Sequence, residues 1–107
     1  MRSTAPLDCT YSCAYSWSVT FQWDRRKARA NLSKHRVDFA DAVGVFDDPY
    51  SVTIDDPDPR EERYLTIGLD LLGRVVVVCW TARGKEIRLI SARPATRRER
   101  VEYRGKD

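Results

Sequence analysis

Histidine is almost missing from this 107-residue chain: His35 is the only one, which excludes any mechanism built on two histidines or a histidine-rich metal site. Three cysteines (Cys9, Cys13 and Cys79) cannot all pair within one chain, and no C-x-x-C occurs. That argues against a disulfide scaffold or a four-ligand zinc site and suits a reducing cytosol, so a cytoplasmic location is expected. The longest uninterrupted apolar run, residues 75–80, is six residues, against the roughly 20 of a membrane helix. Only five glycines are present, with no glycine-rich phosphate loop and no G-x-S-x-G elbow. What is there is 42% hydrophobic and 33% charged, the composition of one globular domain. No cofactor is expected.

The net charge is only +3, but its distribution is uneven. Residues 55–62 hold five acids and one arginine, a net −4, whereas residues 63–107 hold eleven basic and five acidic groups, a net +6. A body of that sign suits a polyanion such as RNA, while the acidic loop stays solvated.

Residues 1–16 are polar and aperiodic and read as a flexible extension ahead of a single domain over 17–107. Trp17, Val19, Phe21 and Trp23 alternate with polar residues, the period of a half-buried strand. Asp24 caps a following helix, whose only apolar stripe is Ala28 and Leu32. Asp38 starts a second helix presenting Phe39, Ala42, Val43 and Phe46, with Val37 and Ala42 as a staple. Strands are expected over 50–54, 63–68, 74–81 and 86–93, the third covered on both faces. Pro94 breaks the sheet, and Thr96-Arg97-Arg98-Glu99 is a capping box opening a short basic helix. The expected fold is α+β: an antiparallel meander with two N-terminal helices packed on one face and a short C-terminal helix.

Chemistry open to one histidine and many arginines, without a metal, includes RNA cleavage through the 2′-hydroxyl. A base takes the 2′-OH proton, cations stabilise the pentacoordinate phosphorane, and an acid protonates the leaving 5′-oxygen. Arginine suits the middle task because its planar fork holds two phosphate oxygens. A meander places Arg63, Arg83 and Arg88 at one sheet end, and Arg74 and Arg93 at the other with Arg97 and Arg98 beyond. Strict alternation puts Arg63 on a face with Leu65 and Ile67, and Arg93 with Leu89 and Ser91. Lys27, Lys34 and Arg36 extend a phosphate-binding surface. Each residue also has a structural reading: His35 as a helix C-terminal cap, the arginines as partners of rim carboxylates, Glu99 as half of the capping box, and Cys79 and Trp80 as core.

An ordered set of segments resembles the BrnT family, the toxin half of type II toxin–antitoxin pairs. The set comprises Phe21-Gln22-Trp23-Asp24, Asn31-Leu32-Ser33-Lys34-His35, Val37-Asp38-Phe39 with Ala42, Phe46-Asp47-Asp48-Pro49, Glu62-Arg63-Tyr64 with Thr66-Ile67-Gly68, Thr81-Ala82-Arg83-Gly84, and Ile90-Ser91-Ala92-Arg93 with Ala95-Thr96 and Arg98-Glu99. The resemblance implies a RelE-like ribonuclease inhibited by a BrnA-like antitoxin with a ribbon-helix-helix part, and an oligomer within that complex. By position, it implies catalytic roles for His35, Arg63 and Arg93, and substrate binding by Lys34, Arg83 and Arg98. The family usually follows the histidine with glycine, where this chain has Arg36; a left-handed backbone there costs an arginine about 1–2 kcal/mol. An interaction module that binds RNA or antitoxin without cleaving is the rival reading, and a toxin homologue that has lost activity is another.

Overall fold

The computed structural model describes residues 11–16, 19–56 and 62–104. Strand β1 (Tyr11–Ser16) pairs antiparallel with β2 (Val19–Asp24). Helix α1 (Arg25–His35) follows, then one turn of helix α2 (Phe39–Ala42) continued as a 3-10 turn over Val43–Asp47. Four strands come next, β3 (Val52–Asp55), β4 (Tyr64–Leu69), β5 (Val75–Arg83) and β6 (Glu86–Pro94), and helix α3 (Arg97–Arg104) ends the described chain. Of the extension expected over 1–16, residues 1–10 lie outside the described set, and Tyr11–Ser16 is the edge strand β1.

The sheet has six strands in the order β1-β2-β6-β5-β4-β3. The run β3 to β6 is the expected antiparallel meander, but the sheet as a whole is mixed because β2 lies parallel to β6. Strand β2 is separated from β6 in sequence by the helices and β3 to β5, and only tertiary packing brings it alongside. The β5 strand sits centrally, and its β-branched run buries Val76 and Val78 on one face and Val77 and Cys79 on the other.

One face carries the main core: Phe21, Trp23, Val37, Phe39, Ala42, Val45, Val76, Val78, Leu89 and Ala92. Helices α1 and α2 supply its cover. The expected second helix is corrected here: it tightens after Ala42, and the three-residue period of a 3-10 turn brings Val45 inward below Ala42, with Val43 and Phe46 left partly buried. The apolar stripe of α1 is corrected in part: Ala28 packs against the core, but Leu32 is 44% exposed and Asn31, at 7%, reaches the sheet in its place.

The opposite face carries a smaller core of Ile67, Val77 and Ala95, joined by Leu65, Val75 and Tyr103 of α3. Helices therefore cover both faces. The capping box forms as expected: the Thr96 amide donates to Glu99 Oε1 at 2.8 Å, and the Glu99 amide donates to Thr96 Oγ1 at 3.2 Å. At its other end α3 is pinned by the Tyr103 hydroxyl, which donates to Asp48 Oδ2 at 2.5 Å. Burial and that bond push the Tyr103 phenol up to about 12. Gly44 lets the β4–β5 turn dock on the 3-10 segment, since a Cβ there would lie 2.7 Å from the Leu71 nitrogen.

Candidate functional site: an arginine-bearing sheet face

Strict alternation along β6 fails at one residue. Cys79 pairs with Ser91 and Trp80 with Leu89, so Ile90 is bulged out of the ladder. Leu89 consequently turns to the helix-covered core, where the alternation reading had placed it with Arg93. The same inserted residue lets Arg88 and Arg93, five positions apart, share the α3 face with Ser91. On β4 the face holds Leu65 and Ile67 and, one residue before the strand, Arg63; the Asp56 amide donates to the Arg63 carbonyl at 3.0 Å, so pairing extends that far. Arg63, Arg88, Ser91 and Arg93 are all half-exposed.

Register fixes their spacing. Thr81 stands opposite Arg88, and the β4–β5 register, carried one residue beyond Tyr64 opposite Trp80, sets Arg63 beside Thr81, so these two arginines share one rung across β4, β5 and β6. Arg93 stands on the rung of Val77 and Ile67, four residues further along. At about 3.3 Å per residue that is about 13 Å along the strands, too far for Arg63 and Arg93 to share one phosphate but suited to successive parts of a bound strand. Between them lie Cys79, whose thiol donates to Asp56 Oδ2 at 3.6 Å, and Thr81, whose hydroxyl donates to the Glu62 carbonyl at 2.7 Å. Arg63 and Arg88 are each engaged within the fold. Residues 57–61 of the acidic loop lie outside the described set.

Arg93 is held in a defined pose. Its Nη1 donates to Glu99 Oε1 at 2.7 Å and its Nη2 to Glu99 Oε2 at 2.8 Å, a forked pair, with a further contact from Nη1 to the Pro94 carbonyl at 3.3 Å. Three of the five N–H bonds of a guanidinium are thus used. The side chain stays 37% exposed. The hydrogen bonds from Arg93, outweighing the opposing effect of burial, hold the Glu99 carboxyl at about 2, far below its ordinary 4.5. With three hydrogen bonds accepted, this carboxylate orients Arg93 and caps α3.

The folded-state value lies below the unfolded one, so Glu99 contributes stability that is fully present above about pH 4.5 and is lost as pH falls toward about 2. Urea unfolding midpoints of wild type and Glu99→Gln should therefore converge through that window. A gap between them that stays constant from pH 6 to pH 2 would contradict the assignment.

His35 is not brought to this face. It ends α1, which lies over the other side of the sheet, but the end is shared with Arg93: Asn31 of α1 bonds Ala92, the neighbour of Arg93. Lys34 precedes it in the last helical turn, and both lie where the helix dipole favours a cation. Arg83 is exposed at the β5–β6 hairpin, at the Arg63 end, and Arg98 is exposed in the first turn of α3, at the Arg93 end. The six expected residues thus divide between two sheet ends. The sequence set Ser91 on the face of Arg93 and raised a left-handed backbone at Arg36, observed at φ 63°, but gave no sign of Asp56, which accepts from the Cys79 thiol. No cluster of three or more metal-ligating side chains occurs among the described residues, and no helix there is long and apolar enough to cross a membrane.

The fold and this face define a small α+β protein with a mixed sheet and a cationic sheet surface. The chain belongs to the BrnT family: the model of the ribonuclease toxin BrnT of type II toxin–antitoxin systems matches residues 23–99. Among solved structures, the Brucella abortus ribonuclease toxin BrnT is similar, at 27% identity and a TM-score of 0.55, covering 70% of this chain and 94% of that one. No curated protein matches. Family membership brings with it an RNA target and an antitoxin partner.

Proposed function

We propose that this chain is a metal-independent endoribonuclease that cuts RNA by attack of the 2′-hydroxyl. The observation that carries the reading is one half-exposed face bearing Arg63 and Arg93, which the bulge at Ile90 makes Arg88 join, in a chain of the ribonuclease-toxin family. Bulges recur beside active sites because one extra residue re-aims a side chain.

A strand of RNA lies along this face, its phosphates against the Arg63–Arg88 rung and Arg93. A base removes the 2′-OH proton, O2′ attacks phosphorus, the equatorial oxygens gain charge held by the guanidinium groups, and the 5′-oxygen leaves with a proton. The products are a 2′,3′-cyclic phosphate and a 5′-hydroxyl. His35 is the proton-transfer candidate from the rim of the same sheet end, with Lys34, Arg83 and Arg98 holding flanking phosphates. The base is unassigned. The inhibitor is a BrnA-like antitoxin with a ribbon-helix-helix part, acting with the toxin in the cytoplasm.

Purified protein incubated with RNA in EDTA should yield cyclic-phosphate ends, and intact RNA under those conditions would refute the reading. The second reading, a partner-binding module without catalysis, is favoured by the Arg93–Glu99 pair and by Leu71 and Leu72, 63% and 64% exposed at the β4–β5 turn. Intact RNA together with tight antitoxin binding would select it.

A further inference from the structure

We infer that Arg36 binds a phosphate of the RNA strand, presented by a strained turn that Asn31 and Arg74 brace; the inference rests on the ribonuclease reading above. Arg36 has φ 63° and ψ 25°, and it is the one non-glycine residue with positive φ among the described residues. The turn needs nothing from an arginine side chain. Its own amide closes the helix by donating to the Leu32 carbonyl at 2.9 Å, and glycine would do this without strain.

The strain is nevertheless locked in. Arg74 Nη1 donates to the Arg36 carbonyl at 3.0 Å, and Asn31 Nδ2 donates to the carbonyl of the next residue, Val37, at 2.9 Å. Arg74 is itself fixed by Asp70, whose side chain is fully buried, through contacts of 2.9 Å from Nε and 2.8 Å from Nη2. Arg74 is therefore a charge-compensated brace. Backbone strain held this firmly gathers at functional sites.

The Arg36 guanidinium is exposed and makes no ion pair or hydrogen bond among the described residues. Its neighbours at this sheet end are cations of the same kind. Lys34 sits in the last turn of α1. Arg97 and Arg98 open α3, brought close because the Ala95 amide donates to the carbonyl of Val75, the residue after Arg74, at 3.0 Å. The exposed cations Lys34 and Arg36 at the end of α1 and Arg97 and Arg98 at the start of α3 thus lie at the sheet end that carries Arg93. A phosphodiester backbone leaving the Arg93 end of the face crosses them.

The test uses the full chain and a fluorescently labelled 2′-O-methyl oligoribonucleotide, which lacks the attacking hydroxyl and stays uncut. Arg36→Gly should raise Tm by about 5 °C through relief of the turn. It should also weaken binding roughly three- to tenfold at low salt and lower the slope of log K against log salt by about 0.7. Arg36→Lys should keep the wild-type slope. Arg36→Gly binding with wild-type affinity and slope would overturn the inference and leave the ribonuclease reading standing, whereas a wild-type protein that neither binds this probe nor cuts RNA would remove both.

Discussion

Replacing Arg63 or Arg93 by alanine should abolish growth arrest on expression, with RNA cleavage falling by about two to three orders of magnitude, the usual loss when one charge-stabilising donor leaves an active site. Both side chains lie on the α3 face of the sheet, and neither belongs to the main core. Circular dichroism should report folded protein in each case. Arg93 needs a control because it also holds Glu99. In Glu99→Gln the capping acceptor survives and the ion pair does not. If Arg93 serves RNA, that variant keeps most of its cleavage while Arg93→Ala does not. Equal losses in the two would reduce Arg93 to an anchor for α3, and wild-type arrest by folded Arg63→Ala and Arg93→Ala would remove the site. His35→Ala should lose less than either, since it stands off the face at the rim. Full activity in that variant would leave His35 as the helix cap alone.

The largest effect on stability is expected at Asn31. Its amide donates to the Val37 carbonyl at 2.9 Å and to the Ala92 carbonyl at 2.8 Å, while its oxygen accepts the Ala92 amide at 3.1 Å. One buried side chain thus ties α1 to β6 and to the chain leaving the Arg36 turn. Alanine removes all three bonds and leaves buried backbone groups without a partner, at about 1–3 kcal/mol each where no other partner takes over. A total of about 3 kcal/mol is a large share of a small domain's stability and corresponds to a fall in Tm of roughly 12–24 °C. Leu32→Ala, one residue along the same helix, should cost under about 0.5 kcal/mol because Leu32 is 44% exposed. Thermal melts that rank the two the other way would show that helix α1 packs through its leucine after all.

That pair of residues shows where reading the chain succeeds and where it stops. Hydrophobic pattern finds the helix but assigns its buried side to leucine, because a polar group inside is worth placing only when its partners are known, and two of the three here are backbone groups of Ala92, 61 positions away. The meander and the Thr96–Glu99 cap are local: alternation, turn residues and a capping box specify them within a few residues, and they form as expected. The parallel pairing of β2 with β6 has no local signature, since it joins a strand ahead of the helices to the last strand of the meander through packing alone.

The candidate site divides in the same way. Residue types and the ordered segments determined, before any coordinates, that this is an arginine-rich α+β chain resembling the BrnT family, and they named Arg63 and Arg93. Alternation also placed Arg63 with Leu65 and Ile67 and Arg93 with Ser91, as observed; that Arg88 joins this face and Leu89 leaves it was decided in three dimensions. A period of two carries no mark for the residue that drops out of the ladder, and the bulge at Ile90 arises where β6 must match both β5 and the core beneath Leu89 and Ala92. Likewise the left-handed Arg36 is set by hydrogen bonds from Arg74 and Asn31, distant groups that together hold a backbone conformation its own side chain disfavours.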